Sequence, residues 1–232
     1  MNLLALETST ESCSVALSRN GALISRSELA PRRHAELLLP MCDEVLAEAG
    51  VSRSQLDAIA VGRGPGAFTG VRLAISAAQG MALALDLPVV PVSSLAALAL
   101  DAPDTSQPIL AVIDARMGEI YAGAFDRGDD GLVVAIGSET VGAADRLTLT
   151  RPGPWHVIGS GWDSYREAIL ARMAIAPASA QGQRYPQASA IAKLAVRDLA
   201  SGHGLAPEFA MPSYLRDKVA LTSQERLSSK VG

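Results

Sequence analysis

Apolar and polar positions alternate along this chain in two recurring styles. The first is the short unbroken apolar run. Leu3–Leu6 is one, closed by Glu7-Thr8-Ser9-Thr10, and its brevity predicts a buried strand. Cys13–Ser18 and Ala22–Leu29 predict two more strands. Asn20-Gly21 lies between them, and both residues tolerate positive φ, which marks a hairpin. The second style is the helical stripe. Leu38, Met41, Val45 and Ala49 recur at helical spacing over His34–Ala49, and Gly50 suits the position after the last turn. Pro40 deletes one backbone hydrogen bond there and predicts a kink. Leu37, Leu39, Cys42 and Leu46 widen the apolar surface beyond one stripe, as expected of a central or interfacial helix.

Asp57–Val61 predicts the next strand and runs into Gly62-Arg63-Gly64-Pro65-Gly66-Ala67-Phe68-Thr69-Gly70, then a helix to about Leu85. Gly70, Ala74, Ala77, Ala78, Gly80, Ala82 and Ala84 make that helix small-sided, which allows another helix to come close. Val89–Val92 predicts a strand and Ser94–Leu100 a short helix. The second half repeats the plan. Strands are expected at Ile109–Ile113, Glu119–Phe125, Leu132–Ile136 and His156–Ile158, and helices around Trp162–Met173 and Ala188–Ala200. Each half opens with a hairpin, and a carboxylate closes the first strand of each, Glu7 and Asp114. The duplication predicts two α/β lobes facing a cleft. Residues 1–103 form the first lobe, 104–221 the second, and 222–232 a polar tail. The boundary sits in the Asp-, Pro-, Thr-, Ser- and Gln-rich stretch around 102–108.

Composition sharpens this picture. The 232 residues are 49% hydrophobic but only 4% aromatic, so Ala, Leu and Val must carry the packing. The formal net charge of −4 lacks the basic excess of a domain that grips nucleic acid alone, so any RNA should be held mostly by another subunit. Cys13 and Cys42 form no CxxC pair and read as buried free thiols of a reducing compartment. The N-terminus lacks a basic region and a long apolar run, and no stretch approaches the ~20 apolar residues of a membrane span. The expectation is a cytoplasmic protein with no membrane partner.

Candidate chemistry is sparse. The Gly62–Gly70 loop could present backbone N–H groups to an anion. It is neither GxGxxG nor a Walker loop, however, and its spacing alone favours a tight turn with close helix–strand contact. Glu7-Thr8-Ser9-Thr10 and Asp114-Ala115-Arg116 could face a shared nucleotide, with strand-end capping as the simpler account. His34, His156 and His203 are solitary, so no metal pair is expected. No G-x-S-x-G elbow occurs. Arg32, Arg33, Arg63 and Arg72 read as a solvated face before a basic patch.

Leu4-Ala5-Leu6-Glu7-Thr8-Ser9 and the run from Gly62 to Gly70 with Val71-Arg72 closely resemble the TsaB (YeaZ) family of the threonylcarbamoyladenosine tRNA-modification machinery. Val89-Val90-Pro91-Val92-Ser93-Ser94-Leu95, Pro212-Ser213-Tyr214-Leu215-Arg216 and Val219-Ala220 extend the resemblance over nearly the whole chain. It implies an actin/Hsp70-like fold of two duplicated mixed α/β lobes. It also implies a non-catalytic scaffold that pairs with a homologous catalytic subunit, TsaD. That paralogue binds metal through an HxxxH pair, whose positions fall here on Ser94 and Leu98. No catalytic or metal residue is therefore expected.

The family pairs through its first-lobe helices, which puts Leu37, Leu38, Met41, Val45, Leu46, Phe68, Val71, Arg72, Ile75, Ala78 and Gln79 at a partner interface. The isolated chain should form a homodimer. The ATPase subunit TsaE, and tRNA reached through the complex, are the other expected partners. No cofactor should be tightly bound. ATP or ADP would be weak or shared at the complex interface, with Glu7, Thr8, Ser9, Gly64, Gly66 and Asp114 as vestigial nucleotide-facing turns. Two alternatives stand beside this reading: an ATPase or kinase-like enzyme of the same fold, and a glycoprotease-like metallopeptidase, which the missing ligands oppose.

Overall fold

A computed structural model describes residues 1–104 and 106–216. The expected tail and the Val219-Ala220 motif lie outside the described residues. The first sheet contains β1 (Asn2–Glu7), β2 (Ser12–Arg19), β3 (Ala22–Leu29), β4 (Ala58–Gly62) and β5 (Val89–Val92), in the order β3-β2-β1-β4-β5. β1 pairs antiparallel with β2 and parallel with β4, so it lies in the middle of the sheet. The second sheet contains β6 (Ile109–Arg116), β7 (Glu119–Arg127), β8 (Val133–Ala135), β9 (Thr140–Ala143), β10 (His156–Ile158) and β11 (Ser179–Gln181). Its order, β8-β7-β6-β10-β11, repeats the first: two antiparallel pairings, then two parallel ones. β9 adds a second partner for β7.

Five α-helices among the described residues layer these sheets. α1 (His34–Ala49) and α2 (Phe68–Leu85) cover the outer face of the first sheet. α3 (Ser94–Leu100) and α5 (Ala188–Ala200) lie between the two sheets, and α4 (Ser160–Leu170) covers the outer face of the second. α5 comes from the second half of the chain yet packs on β1, β2, β4 and β5.

Alternation along the strands sets the thickness of each layer. Leu4, Leu6, Val15, Leu17, Ile59 and Val61 point to α1 and α2, whereas Ala5, Ala16, Ala58 and Ala60 face inward. The alanine face lets α5, itself rich in Ala188, Ala190, Ala192 and Ala195, approach closely. This is how a core with few aromatics reaches interior density. Ser14 anchors the start of α5 by accepting the Ala188 N–H at 2.9 Å.

The expected elements are present, with shifted edges. α1 continues through Pro40 as one helix and ends on Gly50 at φ 61°. α4 begins at Ser160, two residues earlier than expected, after Gly159 at φ 118°. The short strands β9 and β11 are additions to the expected elements: unlike the equally short apolar β10, they carry no apolar run to mark them. α2 is long and apolar enough to cross a membrane by length and composition, which corrects the expectation that no segment approaches a span. Its Gly70, Val71, Ala74, Ile75, Ala78 and Ala82 are nonetheless built into the core beneath it.

Candidate functional site

The two hairpin turns meet at a cleft of about 630 Å³. Ser9, Thr10 and Glu11 line it from the first sheet, and Asp114, Ala115 and Arg116 from the second. The start of α2 (Gly66, Ala67, Phe68, Val71, Arg72), the rim residues Arg32 and His34, and the segment Pro212–Arg216 complete the wall.

The first turn is sealed against the glycine loop. Glu7 is fully buried; its Oε1 accepts the Ser9 N–H, and its Oε2 accepts the Ser94 hydroxyl at 2.7 Å. Burial raises the Glu7 pKa, opposed by the hydrogen bonds from Ser94 and Ser9. Gly62, Gly66 and Gly70 are what the sealing requires. A Cβ at Gly62 would overlap the Glu7 carboxylate, one at Gly66 the Ser9 carbonyl, and one at Gly70 the Thr8 carbonyl. The Thr8 hydroxyl donates to the Gly70 carbonyl at 2.7 Å, and the Ala67 N–H donates to the Ser9 carbonyl at 2.7 Å. The glycines therefore cradle the chain's own turn.

The second turn is held by charge. Arg116, Met117 and Gly118 all have positive φ. The Asp114 carboxylate accepts hydrogen bonds from the Arg116 N–H (2.7 Å) and guanidinium (3.0 Å), from Ser164 (3.2 Å) and from Tyr165 (3.2 Å). A local break in α4 at Tyr165 (φ −135°, ψ 30°) accompanies that reach. Burial and the Asp114 charge raise the Tyr165 pKa. Arg116 also reaches across the cleft to Glu11.

Of the six vestigial nucleotide-facing residues, Ser9, Gly66 and Asp114 line the cleft. Glu7, Thr8 and Gly64 are buried behind it, which corrects their expected exposure to a ligand. Ser94 and Leu98, where the family resemblance implied that a paralogue's metal ligands would fall, are also interior. Ser94 serves Glu7, and Leu98 packs in the core between the sheets. Leucine offers no donor atom, so this donor set does not fit a metal. Among the described residues no cluster of His, Cys, Asp or Glu could hold one. Burial raises the thiol pKa of Cys13 to about 11 and of Cys42 to about 12.

The expected partner face needs correction in detail. Leu38, Met41, Val45, Leu46, Val71, Ile75 and Ala78 are buried in the chain's own core, because their faces of α1 and α2 rest on the sheet. Gln79 donates to the Pro207 and Ala210 carbonyls and so fastens its own chain. Leu37, Phe68 and Arg72 retain accessible surface. Sequence spacing found the apolar stripe but not which side of it was covered. The open side carries Leu39 and Leu83, more than half exposed, beside a groove of about 450 Å³ between α1 and α2 lined by Leu46, Gly80, Met81 and Ala84. The four arginines weighed as a basic area separate. Arg32 and Arg72 line the cleft, Arg33 pairs with Glu28 and Glu36, and Arg63 lines a different hollow.

Two sheets with one repeated strand order, inner helices shared between them and a cleft where their first turns meet, define an actin/Hsp70-like duplicated α/β fold. Comparison with known proteins narrows the class. The family described as "TsaD: tRNA N6-adenosine threonylcarbamoyltransferase" matches residues 25–224. The chain is 37% identical to the tRNA threonylcarbamoyladenosine biosynthesis protein TsaB of Escherichia coli, over 95% of this chain and 96% of that protein. It is 52% identical to the protein of the same name from Haemophilus influenzae over 52% of each. The solved structure of YeaZ from Pseudomonas aeruginosa superposes with a TM-score of 0.86 at 45% identity, covering 92% of this chain and 99% of that one. The chain belongs to the TsaB (YeaZ) family, within the wider group that includes TsaD.

Proposed function

We propose that this chain is a non-catalytic subunit of tRNA threonylcarbamoyladenosine biosynthesis, and that it pairs with the homologous catalytic subunit TsaD in the cytoplasm. Similarity to proteins named for that biosynthesis supports the pathway. One observation carries the non-catalytic role: the residues at the chemical positions of the fold are occupied in packing. Glu7 is locked to Ser9 and Ser94, the glycine loop is filled by the chain's own turn, and Leu98 stands where a ligand would be needed. The apolar groove between α1 and α2 supports the pairing, since a sister chain can cover Leu39, Gly80 and Leu83. The same face accounts for a homodimer of the isolated chain. ATPase work belongs to TsaE in this reading. ATP or ADP is bound weakly or shared at the joint with TsaD, and tRNA arrives through the complex.

Reconstitution tests this. The chain alone should turn over neither ATP nor tRNA, and TsaD with TsaE should modify tRNA only when the chain is added. Leu39→Glu with Leu83→Glu should abolish co-purification with TsaD while leaving the melting temperature within a few degrees, because both side chains are exposed. ATP turnover by the purified chain, or undiminished pairing of the double variant, would refute the reading.

A further inference from the structure

At the rim of the cleft two aromatic rings and two arginines sit together without a structural duty that accounts for them. The Arg72 guanidinium lies 3.2 Å from the centre of the Phe68 ring and 4.8 Å from that of Tyr214. Both rings are more than half exposed. Arg72 has no carboxylate partner among the described residues; its Nη1 donates only to the Phe68 carbonyl at 3.1 Å. Arg32 lines the same cleft, is exposed, has no ion pair among the described residues, and holds a left-handed backbone at φ 69°. Other arginines contrast with these two: Arg26, Arg33, Arg53, Arg116, Arg151 and Arg216 each pair with a carboxylate.

The platform is also held in place. Ser213 N–H donates to the Arg63 carbonyl at 2.8 Å, and Arg216 bonds the Ala115 carbonyl and Glu119, so Tyr214 is pinned from both sides. Flat, exposed, prearranged rings stacked with a guanidinium offer faces to a base, and unneutralised arginines beside them offer charge to phosphates. We propose that Arg32, Phe68, Arg72 and Tyr214 form a contact surface for an RNA strand, stacking an unpaired base and meeting its adjoining phosphates. This deepens the reading above by giving the acidic chain its own, minor share of the grip on tRNA, and it rests on that reading. It is separable from the protein-pairing groove: Phe68 lies twelve residues before Gly80 on α2, about 18 Å along the helix at 1.5 Å per residue.

The test uses Arg32→Glu, Tyr214→Ala and Tyr214→Phe in the complete modification mixture. The first two should raise the KM for tRNA roughly tenfold with kcat little changed, in line with one lost stack or phosphate contact. Arg32→Glu should also flatten the dependence of that KM on salt. Tyr214→Phe, which keeps the ring, should behave like the parent. Co-purification with TsaD should survive in all three. Loss of co-purification would make this face a protein interface, a raised KM for ATP would make it a mononucleotide site, and no change would leave it without a role; each overturns the proposal. If the parent mixture modifies no tRNA at all, the functional reading fails on its own account. The surface is then judged by fluorescence anisotropy of labelled tRNA with the full chain: binding that Tyr214→Ala weakens sustains it, and binding indifferent to that change overturns it.

Discussion

The two hairpin turns occupy equivalent places in equivalent sheets, yet different physics holds them. The Glu7–Thr10 turn is immobilised by contact: Gly66 and Gly70 bring backbone against backbone, and Gly62 makes room for the Glu7 carboxylate, which is closed in without a cation among the described residues. The Asp114–Gly118 turn is immobilised by charge at the solvent edge, through an Asp114–Arg116–Glu11 chain. Duplication therefore preserved the sheet order but not the turn chemistry. A steric lock tolerates no added atom, whereas a charged lock near water is weak and replaceable.

The greatest effect should come from breaking the first lock. Gly70→Ala places a methyl group on the Thr8 carbonyl, a buried backbone atom just past the end of the central strand β1, so neither partner can move aside cheaply. We expect a loss of about 3 kcal/mol or more, at or above the upper end of what overpacking typically costs, because the overlap is with backbone. The urea midpoint measures it. A shift equivalent to less than 1 kcal/mol would mean that the loop and the turn are not locked.

Glu7 comes next, and here the sign is informative. Burial raises its pKa, so the folded chain holds the proton more tightly than the unfolded chain does. Its contribution to stability is then present below the usual carboxylate range and lost as pH rises through the raised value. Glu7→Gln has nearly the same shape and stays neutral, so it should remove that loss. Stability measured from pH 4 to 9 should fall less with rising pH than in the parent, with the variant the more stable at neutral pH. Glu7→Ala should instead cost about 2–4 kcal/mol, because the Ser9 N–H and the Ser94 hydroxyl are left without an acceptor. A parent whose stability rises with pH more steeply than that of Glu7→Gln would contradict the raised pKa.

Much of this frame was legible in the sequence for a physical reason. Strands buried on both faces must be short apolar runs, so β1, β4 and β6 announced themselves, and Asn20-Gly21 marked its hairpin. That Leu98 cannot ligate a metal followed from its side chain alone once the family resemblance had marked its position. Burial of the helical faces was not legible. Leu38, Val45 and Ile75 share helical spacing with any interface stripe, and only the sheet beneath them shows that the chain itself covers them. Glu7 facing Ser94 across 87 positions, and Arg72 stacked on Tyr214, are long-range meetings with no local signature. The glycine loop was legible in kind, as a tight turn with close contacts, but not in partner. Its residues match those of an anion cradle, but what fills it is the turn at Thr8 and Ser9, far away in sequence.

The smallest effect belongs to the charged lock. Arg116 is largely exposed, so its pairs with Asp114 and Glu11 gain modest Coulomb energy and are screened by salt. Asp114 also keeps three other donors when the guanidinium is gone: the backbone N–H of residue 116, Ser164 and Tyr165. Arg116→Ala should therefore cost no more than about 1 kcal/mol at low salt, and less at 1 M salt. A double-mutant cycle with Glu11→Ala isolates the cross-cleft pair from the pair within the turn, because Glu11 lies on the other side of the cleft. A coupling of several kcal/mol that ignores salt would show the second turn to be as sterically locked as the first, and the contrast between the lobes would disappear.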